Sequence, residues 1–129
     1  MSTSAPLRIL VADSDRRVRA AVSILLGQEP GPILMREAGG LDSLLTEIQL
    51  FQPHIVLLDW DLPGRPASAL LFGLGGVSCP AKVIVLGKPS GTHATALAAG
   101  AYAAIGKDEP PERLLEAVRQ LRAELEKEL

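Results

Sequence analysis

Oxygen-bearing and cationic side chains stand at the ends of the apolar runs of this sequence. Asp13, Ser14 and Asp15 follow LRILVA at 7–12, Asp59 and Asp61 follow HIVLL at 54–58, and Lys107 comes just after a short run at 101–105. Gly87 closes the run KVIVL at 82–86. Carboxylates gathered in one place repel unless a cation lies among them. Oxygen ligands without His or Cys favour a hard ion, of which Mg2+ is the usual one. A lysine supplies a compact positive charge for a phosphoryl oxygen, and an aspartate carboxylate can itself accept a phosphoryl group. These residue types point to a carboxylate–Mg2+–lysine site that receives a phosphoryl group, if the fold brings the run ends into one crevice.

The elements between the runs predict that it does. Leu7–Ala12 reads as a short strand. Val18, Ala21, Val22, Leu25 and Leu26 then recur on one helical face, with Ser14 or Asp15 as the N-cap. Residues 28–32 (QEPGP) break that helix. Ile33–Ala38 reads as a weaker strand, and 42–52 as a helix with Leu44, Leu45, Ile48 and Phe51 inward, stopped by Pro53. The runs at 54–58 and 82–86 are apolar throughout, as in strands buried on both faces. Residues 66–75 form a short helix or turn weakened by Gly73 and Gly75, with Gly76 beyond. Residues 92–99 read as an alanine-rich helix ended by Gly100, and 101–105 as a strand. A last helix, opened by Pro110 or Pro111, carries Leu114, Val118, Leu121 and Leu125 along one stripe. The fold class is therefore α/β, a (βα)5 doubly wound parallel sheet. In such sheets ligands collect at the C-terminal ends of the strands, near the topological switch point.

At 129 residues the chain predicts a single domain spanning 1–129. It is 47% hydrophobic and 22% charged, which excludes intrinsic disorder. The net charge of −2 argues against direct nucleic-acid binding by this domain. One cysteine, Cys79, rules out a disulfide framework and suits a reducing compartment. The start MSTSAPLRIL has neither the basic region nor the apolar stretch of a secretion signal, and no apolar run reaches membrane-spanning length. The expectation is a cytoplasmic domain without membrane contact.

Over nearly its whole length the sequence resembles the receiver domain of two-component response regulators. The resemblance is carried by RILVADSD at 8–15, PHIVLLDWDLPG at 53–64, VIVL at 83–86, ALAAGA at 96–101 and KDEPPERLLEAV at 107–118. It implies the flavodoxin-like receiver fold with strand order 2-1-3-4-5. It also implies Asp59 as phosphoacceptor, Asp13 as one of an acidic pair, and Lys107 as the phosphoryl-contacting lysine. Mg2+ would be held by Asp13, Asp59 and the backbone carbonyl of Asp61. A histidine kinase or phosphotransfer protein would be the donor. The domain would be a phosphoacceptor with self-catalysed transfer and dephosphorylation rather than an enzyme. The face built by the last two helices and the strand between them, residues 92–128, would serve a homodimer or output domain, the chain then being the N-terminal part of a longer regulator.

Three positions depart from the family pattern and make the site degenerate. The second acidic residue is Ser14, with Asp15 one place late. The switch Ser or Thr after the fourth strand is Gly87, and the aromatic position of the fifth strand is Ala104. Tyr102 lies two residues earlier, on the same face by period-two alternation. A lost hydrogen bond to a charged group costs about 1.5–3 kcal/mol, as much as a whole allosteric coupling of about 1–3 kcal/mol. The expectation is an Asp59 that still accepts a phosphoryl group, a weakened Mg2+ site, and a response that is muted or uses other residues.

Other readings attach to the same residues. Asp59 could cap the turn after its strand, Asp13 could cap a helix, and Lys107 could be a solvated loop lysine. Their shared register with Pro63-Gly64 favours the functional reading. The Asp61 side chain, His54 and His93 read as solvent-facing, and Trp60 as an exposed loop aromatic rather than a partner contact. Gly87-Lys88-Pro89-Ser90 lacks the spacing of a phosphate-binding loop, and Gly73–Gly76 is misplaced for a dinucleotide fingerprint. Two functional alternatives remain. One is a phosphorylation-independent pseudo-receiver acting as an interaction module, supported by Ser14, Gly87 and Ala104. The other is a small DxD phosphohydrolase, from Asp13-Ser14-Asp15. The latter lacks Thr or Val at Arg17 and a later acidic loop.

Overall fold

The fold is seen in a computed structural model that describes residues 5–64, 66, 69–71, 81–87 and 92–127. Five parallel strands form one sheet in the order β2-β1-β3-β4-β5. They are β1 (Leu7–Ala12), β2 (Ile33–Ala38), β3 (Ile55–Asp59), β4 (Lys82–Gly87) and β5 (Ala103–Gly106). Helices α1 (Arg16–Gly27), α2 (Leu41–Phe51), α3 (Thr92–Ala98) and α4 (Pro111–Lys127) alternate with them. Residues 69–71 are helical, and the rest of the short helix expected at 66–75 lies largely outside the described residues.

The apolar runs explain the strand order. Every residue of β3 is buried, as is every residue of β4 after Lys82, because helices cover both faces of these central strands. On one face Leu10, Val56, Leu58 and Val85 pack with Leu44 and Ile48 of α2 and Ala96 of α3. On the other, Ile9, Leu57 and Ile84 pack with Val22 and Leu26 of α1 and Leu114, Val118 and Leu121 of α4. Local signals fix the helix ends. Asp15 caps α1 by accepting the Arg17 N–H at 2.8 Å. Gly100, at φ 111°, ends α3, letting the Ala101 N–H return to the Ala96 carbonyl at 3.0 Å. Pro111 is the first residue of α4, where a missing N–H costs nothing. The far end of the α1–α4 layer is clasped by Arg119, which donates to both Glu29 oxygens at 2.6 and 2.8 Å. Arg122 donates to the Pro30 and Pro32 carbonyls from above Gly31.

Four readings of the sequence are corrected, one of them His93, which is half-buried with its Nε2 shielded from solvent rather than solvent-facing. Leu45 is 39% exposed, because it lies one residue past the buried Leu44 and is turned off the Leu44–Ile48 stripe. Tyr102 is not on the face of Ala104. It precedes the first residue of β5, so strand alternation does not reach it. Its ring packs on the α1–α4 side and its hydroxyl donates to Glu124 at 3.3 Å, while Ala104 faces α2 and α3. His54 is half-buried rather than solvent-facing, and its Nδ1 accepts the Arg8 N–H at 3.0 Å.

Burial, helped by the Arg8 charge, holds the His54 pKa below its ordinary 6.5. The unfolded chain therefore binds the proton more readily, and the stability His54 contributes is complete above about pH 6.5 and lost as the pH falls through the depressed folded value. Urea unfolding midpoints should drop from pH 7.5 to pH 5, and His54→Gln should flatten that part of the profile. An unchanged slope in the variant would show that other groups cause it.

Candidate functional site

The sheet register lines up the strand ends. Ala12 is level with Leu58, Asp59 with Leu86, and Gly87 with Gly106. Asp13, Asp59 and Lys107 therefore emerge side by side at the C-terminal edge of β1, β3 and β5. Asp13 is 1% exposed and Asp59 3%, the two buried acids among the described residues. Lys107 Nζ lies 2.9 Å from Asp13 Oδ2 and 3.0 Å from Asp59 Oδ1, so one ammonium serves both carboxylates.

Each aspartate is locked by the turn that follows it. The Asp15 N–H donates to Asp13 Oδ1 at 2.8 Å, and the Asp61 N–H donates to Asp59 Oδ1 at 3.0 Å. These are matching Asx turns at two adjacent strand ends. The Leu62 N–H closes the second loop on the Asp59 carbonyl at 3.1 Å, and the Trp60 N–H holds it to the Leu86 carbonyl of β4 at 2.8 Å. Gly64 ends that loop at φ 125°, where an added Cβ would lie 2.8 Å from Leu41 Cβ. Lys107 is anchored through its own N–H, which donates to the Gly87 carbonyl at 2.9 Å.

Burial works against the Lys107 charge, but the hydrogen bonds and charges of Asp13 and Asp59 outweigh it and hold its pKa above the ordinary value. Among the described residues no group of three or more His, Cys, Asp or Glu side chains is placed to hold a metal. The oxygen donors still fit Mg2+, which commonly takes one or two carboxylates and completes its shell with water. Asp13 Oδ2 supports that fit. It is buried, and among the described residues its partner is the Lys107 ammonium at 2.9 Å, whose place a bound cation could take.

The structure thus brings together Asp13, Asp59 and Lys107. Ser14 and Asp61 are exposed beside them. Gly87 is buried at the end of β4, and Ala104 sits three residues before Lys107 within the α2–α3 side of the core. Neither Gly87 nor Ala104 has a side chain that could reach a phosphoryl group. Two supporting residues escaped the sequence reading. Arg19 Nη1 donates to the Asp13 carbonyl at 2.6 Å, and the Glu109 carboxylate accepts the Gly106 N–H. Arg19 belongs to no motif and only its folded position reveals it, whereas Glu109 lies two residues past Lys107 within KDEPPERLLEAV, with no local pattern to set it apart from Asp108.

No family model matches the chain. The chain is 29% identical over 125 residues to the nitrate/nitrite response regulator protein NarL of Escherichia coli (strain K12), covering 95% of this chain and 58% of that one. It is 30% identical over 117 residues to the transcriptional activator protein ExaE of Pseudomonas putida, covering 89% and 55%. The chain therefore spans somewhat more than half the length of these curated relatives. Among solved structures, the CheY-like response regulator receiver domain protein from Methanospirillum hungatei JF-1 superposes with a TM-score of 0.83 at 26% identity, covering 97% of this chain and all of that one.

Two buried carboxylates share one cation, so removing either kind of charge should have opposite effects. Lys107→Met leaves like charges facing each other and should cost about 1–2 kcal/mol at pH 7. That is less than the 3–5 kcal/mol of a fully buried pair because the lysine side chain is 36% exposed. Asp13→Asn should be neutral or stabilising. Urea denaturation of both variants checks the order, and a destabilised Asp13→Asn beside an unaffected Lys107→Met would contradict this charge balance.

Proposed function

The chain belongs to the CheY-like receiver domains of two-component response regulators, and from that premise we propose that it accepts a phosphoryl group on Asp59 in a histidine-to-aspartate relay. The observation that carries the reading is the pair of buried carboxylates held by one lysine at adjacent strand ends. Asp59 supplies the nucleophile. A carboxylate oxygen attacks phosphorus, the bond from phosphorus to the donor breaks, and its electron pair leaves with the donor. The Asp61 N–H and Lys107 hold Asp59 Oδ1 and so fix the direction of attack. Lys107 can then transfer its charge from the two carboxylates to a phosphoryl oxygen. Asp13 and Asp59, with the Asp61 carbonyl, would hold Mg2+, which would neutralise charge on the phosphoryl oxygens.

Ser14 in place of a second acid weakens that metal site, and Gly87 with Ala104 leaves the response without the usual switch side chains. Receiver domains are ordinarily phosphoacceptors rather than enzymes, and the donor here is a histidine kinase or phosphotransfer protein. Signalling would proceed in the cytoplasm. No helix among the described residues is long and apolar enough to cross a membrane. A homodimer or output contact would use residues 92–128, where α3 exposes Ala94, Thr95, Ala98 and a 52% exposed Leu97. Sedimentation at high concentration should show self-association strengthened by a phosphoryl donor. A strict monomer with and without donor would remove the dimer. Among the described residues no third acidic ligand joins Asp13 and Asp59, which favours one competing reading, a pseudo-receiver that binds partners without phosphorylation.

Intact mass after incubation with acetyl phosphate and Mg2+ separates the two. One phosphoryl group should be gained, and the gain should vanish in Asp59→Asn and in the presence of EDTA. A folded protein that gains nothing would establish the pseudo-receiver instead.

A further inference from the structure

Lys107 lies in a tight loop between β5 and α4, and Glu109 fastens that loop at both ends. The Glu109 N–H donates to the Gly106 carbonyl at 3.0 Å, and Glu109 Oε2 accepts the Gly106 N–H. Glu109 Oε1 pairs with Arg113 Nε in the first part of α4, at 3.4 Å. The missing side chain at Gly106 gives these acids room. A Cβ there would stand 2.7 Å from Asp108 Oδ1 and 3.2 Å from Glu109 Oε2.

The same Glu109 Oε2 faces His93 Nε2 of α3 across 3.7 Å. That distance is too long for a hydrogen bond, yet among the described residues His93 Nε2 is buried without a hydrogen-bond partner. A buried nitrogen in that state gains from finding an acceptor. About half an ångström of movement brings the pair into hydrogen-bond range. Nε2 can donate both in the cation and in one neutral tautomer, so the contact does not depend on one charge state.

We infer that Glu109 and His93 link the phosphoryl site to α3, with Glu109 as the positioning residue of the loop that carries Lys107. The inference rests on the reading that Asp59 accepts a phosphoryl group. When Lys107 leaves Asp13 and Asp59 for a phosphoryl oxygen, the 106–109 loop moves with it. The Glu109–His93 separation changes in step, and α3 follows. This route needs no side chain at Gly87 and no ring at Ala104.

Amide NMR of the whole chain, with and without beryllofluoride and Mg2+ as the phosphoryl mimic, tests the link in wild type, Glu109→Gln, His93→Gln and the double variant. In the wild type the amides of Trp60 and Lys107 report binding at the site, and those of residues 94–98 should shift with them. In each variant the site amides should still shift while the α3 response falls at least threefold, and the double variant should lose no more than a single one. His93→Gln carries the test alone if Glu109→Gln loosens the loop enough to unfold the chain. An α3 response undiminished in the variants, or absent from the wild type while the site amides move, overturns the link. Site amides that stay still at saturating mimic overturn the phosphoryl-accepting reading itself, and the link falls with it.

Discussion

Two carboxylates are withdrawn from water at the ends of β1 and β3, and a single ammonium from the end of β5 pairs with both. Buried charge is tolerated only when it is paired, so this contact places a demand on the whole sheet. β1, β3 and β5 must end at one level, with β4 between β3 and β5 to set the spacing. A slip of one residue in β3 would turn Asp59 toward the opposite face and leave Lys107 with one partner. The register is thus selected twice, by apolar side chains along the strands and by electrostatics at their tips.

The site's supports are mostly backbone. Asp13 and Asp59 each take an N–H from two residues on, and Lys107 is tied through its own N–H to Gly87. Such supports are insensitive to side-chain identity, which is why Ser14, Gly87 and Ala104 can occupy their positions without disturbing the three charged groups. The three charged groups meet although residue 87 is glycine and residue 104 alanine, so their geometry is independent of the side chains at those two positions.

How much of this the sequence disclosed follows from the range of each signal. Strands β1 and β2 are legible to the residue, because Leu7–Ala12 and Ile33–Ala38 are bounded by turn residues on both sides. The β3 boundary is harder to read. Asp59 belongs to the strand, although an acid at the end of HIVLL looks like the first residue of a loop. Asp13, Asp59 and Lys107 can be read as neighbours because each follows an apolar run and the strand order brings the run ends together. The face of Tyr102 was misread because alternation was extended into a bend before β5. The half-burial of His54 depends on the Arg8 backbone, distant in sequence, and Arg19 and Glu109 act through partners that no local pattern names.

The layer on the α1–α4 face has a consequence for how the chain comes into being. Val22 and Leu26 from the first helix meet Leu114, Val118 and Leu121 from the last, and the Glu29–Arg119 clasp joins residues 90 positions apart. No local segment can close this half of the core. During synthesis, the underside of β1 and the apolar stripe of α1 stay uncovered until α4 has emerged. The opposite face can begin earlier, with Leu44 and Ile48 settling against β1 once α2 is made. Contacts of such long sequence separation slow folding and prolong the exposure of sticky surface. The nascent domain is therefore most vulnerable to aggregation and chaperone capture in the interval before α4 appears.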